Sequence, residues 1–352
     1  MSLGIGVVGT GFVASMHLAA LAKLPDVQLA GVVDLDPARA RAAVLGVANA
    51  RWTTSLAEML AWPDLDGCIV CTPNDTHVNI GLAVAAAGKH LLMEKPLAIT
   101  LDGATALVDA FAERKLVLMG AHTHRFYDYA ISIKRAMNAD DIGRPIYVRL
   151  ALLGGWIWPD WRAWVIDPRR SGGHVLHNGV HLLDLVTWWV ADEPRSVYVQ
   201  GRKETSAELA IHDYLSMTVR FRHGATAVCE VSRANRPRSF NYREAFVQGT
   251  RGALRQAWDA EQGLAFLETG TTLLPGDSQA GFDREVEAWV SAIRGEAPAA
   301  VSGREARRAV AMALAGEESL RSGRVVDLEE LEELEEVDRA RAVEGVKDAR
   351  AR

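Results

Sequence analysis

The first 122 residues alternate short apolar runs with longer amphipathic stretches, and no other feature of the sequence constrains the fold as strongly. The short runs are rich in Val, Ile and Leu and predict strands, whereas the longer stretches carry apolar residues at i, i+3 and i+4 and predict helices. Strands that are joined by helical crossovers run parallel, so a doubly wound α/β sheet is expected. The predicted strands are residues 5–8, 28–34, 68–72, 90–94 and 117–120, and the predicted helices are residues 12–24, 37–44, 55–61, 77–87 and 101–114.

The sequence changes character after about residue 122. Strand-like segments now follow one another with few helices between them, which predicts an α+β domain with a large open, mostly antiparallel sheet. The predicted strands are residues 145–153, 195–202, 214–221, 225–232, 242–249 and 263–267, and the predicted helices are residues 128–138, 173–189, 283–293 and 303–321. We therefore expect a parallel-sheet domain over residues 1–122, an α+β domain over 123–327, and a charged C-terminal tail or helix over 328–352.

A glycine-rich turn joins the first predicted strand to the first predicted helix. In Gly9-x-Gly11-x-x-Ala14, Gly9 makes the tight turn, Gly11 lets a pyrophosphate approach the backbone, and Ala14 lets the helix pack close to the strand. An earlier match in letters, Gly4-x-Gly6-x-x-Gly9, lies within the strand and opens no helix. The pattern predicts a Rossmann dinucleotide-binding domain. The candidate cofactor-binding residues in the turn are Gly9, Thr10, Gly11, Phe12 and Val13.

Asp34 ends the second predicted strand, at the distance from the glycine turn that is typical of a ribose-binding carboxylate. Such a carboxylate accepts hydrogen bonds from the ribose 2′-hydroxyl and repels a 2′-phosphate. We therefore expect NAD as the cofactor, with NADP less favoured. Arg39 is the nearby residue that would favour NADP, but the helix periodicity places it on a solvated face.

The composition excludes several classes of protein. Lys and Arg number 39 against 45 Asp and Glu, a net charge of −6, so neither nucleic acid nor an anionic membrane is an expected partner. Three cysteines argue against a disulfide scaffold, and Cys68 and Cys71 fall on opposite faces of one predicted strand, where they cannot share a metal. With no apolar run long enough for a membrane span and no leader pattern, we expect a cytoplasmic protein.

Three histidines and an aspartate recur along one predicted helix. His174, His177, His181 and Asp184 stand at i, i+3, i+7 and i+10, so all four side chains can share one face. Imidazole and carboxylate groups are suitable ligands for a divalent metal. The alternative is a set of catalytic or capping groups at the start of the helix. We favour this alternative and expect no metal.

Several further segments combine into one pattern along the chain. They are Thr72-Pro73-Asn74 with His77, Glu94-Lys95-Pro96, Arg125-Phe126, Trp161-Arg162, Gly172-Gly173, Gly179-Val180-His181-Leu182-Leu183-Asp184, and Glu317-Glu318-Ser319 with Gly323-Arg324. In order and spacing they resemble the signature of the Gfo/Idh/MocA family of sugar and polyol oxidoreductases over nearly the whole chain. The resemblance implies a Rossmann domain followed by an α+β domain. It also implies hydride transfer between NAD(P) and a hydroxyl or carbonyl carbon of a sugar, a cyclitol or a related polyhydroxy substrate.

The resemblance implies roles for individual residues as well. Lys95 is implied as the catalytic lysine, and His181 as the histidine that exchanges the hydroxyl proton, with His177 assisting. The implied cofactor-binding residues are Thr72, Pro73, Asn74, His77, Glu94 and Lys95. The implied substrate-binding residues are Lys95, Arg125, Trp161, Arg162, His177, Asn178 and His181, with Asp184 as a further candidate.

The sequence departs from the family pattern at His177, where the family usually has Asp. Our hypothesis is that His177 faces the same cavity as His181, one helical turn away. Two nearby imidazoles resist double protonation, so proton acceptance is expected to fail as the pH falls through their shared titration range.

Two other functions are compatible with the same residues. One is a glycosidase that oxidises the sugar transiently with bound NAD, and the other is an NAD-binding sensor without catalysis. A sensor would not need Lys95 and His181 together. Because the open sheet of the second domain must cover one face, we also expect a homodimer or homotetramer.

Overall fold

The computed structural model describes residues 2–154, 164–205, 210–237, 239–257, 263–274 and 280–330. Trp161, Arg162 and the predicted tail beyond residue 330 lie outside the described residues. Within them the chain forms two sheets, one parallel and six-stranded, the other mixed and nine-stranded. The expected fold class is confirmed by this arrangement, a Rossmann-like sheet followed by a large, mostly antiparallel one.

The parallel sheet has the strand order β3-β2-β1-β4-β5-β6. Its strands are β1 (Leu3–Val8), β2 (Val27–Val33), β3 (Arg51–Thr53), β4 (Gly67–Val70), β5 (His90–Glu94) and β6 (Leu118–Ala121). Its helices are α1 (Phe12–Leu21), α2 (Pro37–Ala43), α3 (Leu56–Leu60), α4 (His77–Ala86) and α5 (Leu101–Glu113). The order reverses at β1 and β4, and ligands bind such sheets at the carboxyl ends of the strands on either side of this point. Strand β3 was not predicted, because three residues are too few to show a periodic pattern.

The second sheet has the strand order β14-β13-β12-β11-β7-β10-β9-β8-β15. Its strands are β7 (Pro145–Gly154), β8 (Pro194–Arg202), β9 (Tyr214–Phe221), β10 (Thr226–Ser232), β11 (Asn241–Gly249), β12 (Gly252–Ala257), β13 (Leu264–Leu267), β14 (Gly270–Leu273) and β15 (Val326–Asp327). One pair departs from the antiparallel expectation: β7 lies between β10 and β11 and runs parallel to β10. The chain between β7 and β8 carries helices, and this crossover lets β7 enter the sheet in the other direction.

The helices after β6 are α6 (Asp128–Asn138), α7 (Pro168–Ser171), α8 (Val180–Val190), α9 (Gly281–Ile293) and α10 (Gly303–Ser322). Of these, α8 and α10 pack on the second sheet, α10 also contacts β6 of the parallel sheet, and α9 packs against α1. The predicted helix over residues 173–189 is interrupted, because Val175–Gly179 form a π-helical turn before α8 begins. A π-helical turn widens the helix and changes which side chains share a face, and such turns are frequent at functional sites.

The hydrophobic cores join the two sheets into one body. Val286 and Trp289 of α9 are fully buried against Ile5 and Val7 of β1, so a helix from the predicted 123–327 segment packs in the core of the parallel-sheet domain. Helix α10 packs against α5 on one side and against α8 and β8 on the other. No helix among the described residues combines the length and the apolar character needed to cross a membrane.

Candidate active site

The glycine turn lies at the carboxyl end of β1, where the strand order reverses. Gly9 has φ +83°, and a Cβ there would lie 2.8 Å from the carbonyl oxygen of Cys71, so the turn requires glycine. Gly11 is the N-cap of α1, and with no side chain it supplies no capping bond to the helix. A Cβ there would point into open space, so the backbone at the start of α1 is open to a ligand on this side, as an anion-binding helix N-terminus requires. Gly4 and Gly6 lie within β1, as expected for the mismatched pattern.

Asp34 follows β2 at the same edge and is held in place by neighbouring donors. One of its carboxylate oxygens accepts hydrogen bonds from the Thr10 backbone N–H at 2.8 Å and the Thr10 hydroxyl at 2.7 Å, and the other accepts from the Asp36 N–H at 2.9 Å. Burial raises the pKa of Asp34, but these bonds outweigh it and the pKa is lowered. The carboxylate is ionised and preoriented for a ribose diol.

Three residues that the resemblance places at the cofactor are engaged by the protein. His77 is fully buried, with Nδ1 2.7 Å from the Pro96 carbonyl oxygen and Nε2 3.0 Å from that of Thr72, so it ties two strand-end loops together. The amide nitrogen of Asn74 donates to the carbonyl oxygen of Ser171 at 2.8 Å. Glu94 accepts a hydrogen bond from His17 Nε2 at 2.9 Å and another from the Lys95 N–H at 3.1 Å. These contacts position the loops.

Lys95 follows β5 and its side chain crosses to the second domain. The ammonium donates a hydrogen bond to the carbonyl oxygen of His177 at 2.8 Å, within the π-helical turn. Burial lowers the pKa of Lys95 to about 8, the charge of Glu94 opposes this shift, and the positive charge of Arg233 adds to it. We call the space between Lys95, His177 and His181 the substrate cleft.

His181 lies in the first turn of α8 and has a ring nitrogen without a partner. Its Nδ1 is buried and hydrogen-bonds to none of the described residues, and its ring lies 4.6 Å from the ring of His124, centroid to centroid. Burial, followed by the nearby charge of Lys95, lowers the pKa of His181 well below its usual value. The imidazole is therefore neutral near pH 7 and free to accept a proton.

His177 lies in the π-helical turn, where it contacts the first domain. The amide nitrogen of Asn74 lies 3.2 Å from His177 Nδ1 and donates to it, so the neutral imidazole of His177 carries its proton on Nε2. The ring also meets the ring of Trp164 edge to face, at 5.3 Å between centroids. Burial and then Lys95 lower the pKa of His177 well below its usual value, with His174 and Arg233 as further causes.

The expectation that the histidines share one helical face is wrong. His174 Nδ1 contacts the carbonyl oxygen of His212, whereas His177 faces Asn74 and His181 faces His124. The physical reason is the π-helical turn, which rotates the residues before Gly179 relative to those after it. The leading causes of the lowered pKa values are the same for His177 and His181, namely burial and then the charge of Lys95. No group of three or more metal-binding side chains converges among the described residues.

Arg125, a candidate substrate-binding residue, belongs to a buried ion pair. Its Nε and Nη2 donate to the two carboxylate oxygens of Asp184 at 2.7 and 2.6 Å, and its Nη1 donates to Glu305 at 2.7 Å. Arg125 is 3% exposed and Asp184 2%, so the guanidinium has no face left for a substrate. Arg125 and Asp184 instead fix α8, and with it His181, against α10 and the end of β6.

Sequence reasoning missed several residues of the site. The ring of His124 packs against that of His181 at a tilt of 53°, and His17 hydrogen-bonds to Glu94. Arg233 follows β10, and its Nε is buried and unpartnered among the described residues. Asn178, a predicted substrate-binding residue, is buried, and its amide nitrogen also has no hydrogen-bond partner among the described residues. The signal for Arg233 was present, because the sequence from residue 232 to 243 contains arginines and no acidic residue.

Comparisons with known proteins agree with this geometry. The family described as "Oxidoreductase family, NAD-binding Rossmann fold" matches residues 3–122, and its "C-terminal alpha/beta domain" matches residues 134–328. Inositol 2-dehydrogenase of Acidothermus cellulolyticus is 29% identical over 338 residues, which cover 92% of this chain and 94% of that protein. Myo-inositol 2-dehydrogenase of Thermotoga maritima is 26% identical over 359 residues, covering 93% and 98%.

Solved structures extend the comparison to the fold. A levoglucosan dehydrogenase in complex with NADH and levoglucosan superposes with a TM-score of 0.85 at 22% identity, covering 93% of this chain and all of that chain. GenD2 from gentamicin A biosynthesis, in complex with NAD, has a TM-score of 0.81 at 26% identity and covers 93% and 96%. The first domain is an NAD-binding domain, and the homologues are oxidoreductases of sugars and cyclitols. The chain belongs to the Gfo/Idh/MocA family and is an NAD(P)-dependent oxidoreductase acting on CH–OH groups.

Proposed function

We propose that this protein transfers a hydride between NAD and a carbinol or carbonyl carbon of a cyclic polyhydroxy substrate, a sugar or a cyclitol, in the substrate cleft. The observation that carries the proposal is the proximity of Lys95 and His181, a half-buried ammonium and an imidazole whose Nδ1 has no partner among the described residues. Lys95 follows β5 at the carboxyl edge of the parallel sheet, the edge that also carries the glycine turn after β1. Bound NAD would supply the hydride acceptor at this edge.

Different residues of the cleft accept the hydroxyl proton and stabilise the developing negative charge on the substrate oxygen. In the oxidation direction the neutral His181 accepts the hydroxyl proton, because its lowered pKa keeps the ring unprotonated near pH 7. The Lys95 ammonium stabilises the oxygen as it gains alkoxide character. The Nε2–H of His177 donates to a neighbouring hydroxyl and orients the ring. Asn178 adds a second donor, and Trp161 and Arg162 remain substrate-site candidates from the sequence alone.

We propose NAD as the preferred cofactor over NADP. The support is Asp34, whose ionised carboxylate is held by Thr10 and Asp36 at the place of the adenosine ribose. A 2′-phosphate there would meet a fixed negative charge. Arg39 is solvent-exposed, its Nε lies 3.6 Å from a carboxylate oxygen of Asp36, and its charge also helps to lower the pKa of Asp34. The cofactor-side candidates Gly9 to Val13, Thr72 and Pro73 complete the proposed site.

We propose that the protein forms homodimers or homotetramers through the open face of the second sheet. Among the described residues, helices cover only the opposite face. The open face carries exposed aromatic side chains, Tyr242 and Phe266, around an ion-pair network in which Arg149 contacts Glu230 at 2.7 Å. Light scattering at micromolar concentration tests this, and the mass of a monomer at every concentration would contradict it.

The test of the activity is a screen for NADH formation from NAD⁺ with polyols, cyclitols and aldoses, which are neutral, and with uronates, which are anionic. Oxidation of a cyclic polyol with stoichiometric NADH is the expected result. Release of an alcohol from a glycoside without net NADH would identify the glycosidase alternative instead. Tight NADH binding with no turnover of any compound would support the sensor alternative.

A further inference from the structure

The chain between β10 and β11 is unusually basic. Residues 232 to 243 contain Arg233, Arg236, Arg238 and Arg243 and no acidic residue. This segment lies where β7 and β10 end and β11 begins, which is the edge of the second sheet next to the π-helical turn. A basic segment at this edge places positive charge at the substrate cleft.

Strand alternation determines which of these side chains enter the molecule. Arg233 directly follows the end of β10, two residues after Val231, which with Cys229 is at most 1% exposed on the helix-covered side of the sheet. The charge of Arg233 acts on Lys95 and His181, which agrees with a side chain on that same side. Arg243 shares its face with Ala245 and Val247, which are fully buried on the same side. The acidic residues of these strands point the other way.

Those acidic residues, Glu230 and Glu244, are occupied on the open face. Arg149 contacts Glu230 at 2.7 Å and Glu244 at 3.3 Å, and Arg255 contacts Glu244 at 2.8 Å. They leave no carboxylate of β10 or β11 for the two inward arginines.

Arg233 is half-buried and has no ion-pair partner shown among the described residues. Its Nε is buried and has no hydrogen-bond partner there. Burial lowers its pKa to about 10, and the further cause is the like charge of Arg243. The Nε of Arg243 donates to the side chain of Asn241 at 3.0 Å, a neutral partner. Burying an N–H group of a charged side chain without a hydrogen bond costs free energy, so we expect a ligand to supply the missing acceptor.

The same molecule shows what a structural buried arginine looks like. Arg125 is bound by both oxygens of Asp184 and by Glu305, which compensate its charge fully. Arg233 is half-buried, and its charge lowers the pKa values of Lys95 and His181 after burial and other, larger causes, so it lies close to both. Because the described residues supply no anion for its buried Nε, we look for that anion in the substrate cleft.

We propose that the substrate carries an anionic oxygen group, a carboxylate or a phosphate, which Arg233 binds with Arg243 beside it. This inference rests on the proposed function, because it places the anion on the same cyclic substrate whose carbinol lies between Lys95 and His181. A guanidinium presents two parallel N–H groups to a carboxylate or phosphate, which a neutral hydroxyl cannot match. The preferred substrates are acidic sugars or cyclitols.

The experiment compares neutral and charged members of one ring. The NADH-loaded full-length protein is titrated by calorimetry with glucose, glucuronate and glucose 6-phosphate, and with the corresponding galactose series. One charged member is expected to bind about 10- to 100-fold more tightly than its neutral parent, because a charge-assisted bond replaces a neutral one. Which of the two charged members prevails distinguishes a carboxylate from a phosphate.

Variants assign the preference to the inward arginines. Arg233→Gln is expected to reduce the charged-to-neutral affinity ratio about tenfold or more, and Arg233→Lys to restore part of it. Arg243→Gln is expected to lower the ratio less. The matched control is Arg236→Gln, because Arg236 is exposed and donates to the Thr205 carbonyl oxygen, so the ratio is expected to stay unchanged.

Each outcome decides one question. Equal affinity for charged and neutral members, no binding of any charged member, or a preference that survives Arg233→Gln would overturn the anion site. If neutral polyols reduce NAD⁺ with no charged preference, the oxidoreductase proposal stands and the anion site falls. If charged members bind tightly through Arg233 but no compound yields NADH, the anion site stands and the proposed oxidation falls.

Discussion

The two ends of the cleft differ in how their polar groups are paired. At the cofactor end Asp34, Glu94 and His77 each have protein partners within 3.1 Å, and their orientation is fixed without a ligand. At the substrate end, His181 Nδ1 and Arg233 Nε are buried and unpartnered among the described residues. At the cofactor end the functional groups themselves are paired, although His17 Nδ1 behind Glu94 is not, whereas at the substrate end the unpaired atoms belong to the proposed functional groups.

The difference follows from what each end binds. The cofactor end receives the same molecule in every member that uses NAD, so the protein can satisfy its own groups and leave only a helix N-terminus and a carboxylate for the ligand. The substrate end must discriminate, and buried groups that only the right ligand satisfies are the strongest means of discrimination. Changes at the substrate end should therefore alter turnover and selectivity without altering NADH binding.

Lys95→Met is expected to have the largest effect, and it tests whether turnover can be lost while NADH binding at the cofactor end is kept. Met keeps a similar length but removes the charge that stabilises the alkoxide. Turnover should fall roughly 10²–10⁴-fold, the usual contribution of such a group. NADH affinity, measured by fluorescence titration, should stay within about threefold, because the pairing of Asp34 and Glu94 is untouched. A loss of turnover smaller than about fivefold would show that Lys95 is not catalytic.

Asp184→Asn tests whether a paired arginine is structural, in contrast to the unpaired Arg233. The substitution removes one of the two carboxylates that pair with the buried Arg125 and leaves Glu305. Breaking a buried pair costs about 3–5 kcal/mol in the free energy of unfolding, and the remaining pair should keep the loss at or below the lower end of this range. Urea unfolding measures this. The matched control is Glu318→Gln, which breaks an exposed i, i+3 pair with Arg321 and should cost less than about 0.5 kcal/mol. Equal effects of the two changes would refute a stabilising role for the Arg125 pair.

Most of the cofactor end could be predicted from the sequence. Gly9, Gly11 and Asp34 act through backbone conformation and spacing along a single βαβ unit, and local patterns encode both. The lysine at the end of β5 was also predicted, by resemblance, and its contact across the cleft is now defined.

The substrate end could be predicted only in part, for physical reasons. The π-helical turn at residues 175–179 has no sequence period that distinguishes it from an α-helix, so the expectation that His174, His177 and His181 share one helical face is wrong, although His177 and His181 both lie near Lys95. The partner of Arg125 stands 59 residues away along the chain, and only tertiary packing shows that the pair is closed. Arg233 approaches Lys95 and His181 across two domains, a proximity that no local pattern reports.

The pH dependence of turnover distinguishes the contribution of Lys95 from that of His181. Burial lowers the pKa of Lys95 to about 8, and the ammonium form is the active one, so kcat/KM should fall about tenfold per pH unit above that value. His181 has a pKa well below 6.5, so no loss of activity is expected as the pH falls to that value. The residual activity of Lys95→Met should lack the alkaline limb. A loss of activity on the acidic side centred near pH 6.5 would instead support the hypothesis that His177 and His181 titrate together.

Asp34→Ser tests whether the carboxylate at the cofactor end determines the preference for NADH over NADPH. The unaltered protein should bind NADH about tenfold more tightly than NADPH, because the fixed carboxylate repels a 2′-phosphate. Ser removes this repulsion and should narrow the difference, while the charged-to-neutral substrate ratio stays the same. Calorimetry with both cofactors provides the measurement. Equal or tighter NADPH binding by the unaltered protein would overturn the cofactor assignment.

His177→Leu has the smallest expected effect, because His177 contacts both ends. Loss of its Nε2–H removes one neutral hydrogen bond to substrate, and kcat/KM should fall about three- to tenfold. NADH affinity should be unchanged, although Asn74 loses the acceptor at 3.2 Å. His177→Asp should retain measurable activity and move the alkaline limb upward, since a carboxylate beside Lys95 favours its ammonium form. Unchanged kcat/KM and pH profile in both variants would make His177 a packing residue against Trp164, and the proton would then belong to Lys95 and His181 alone.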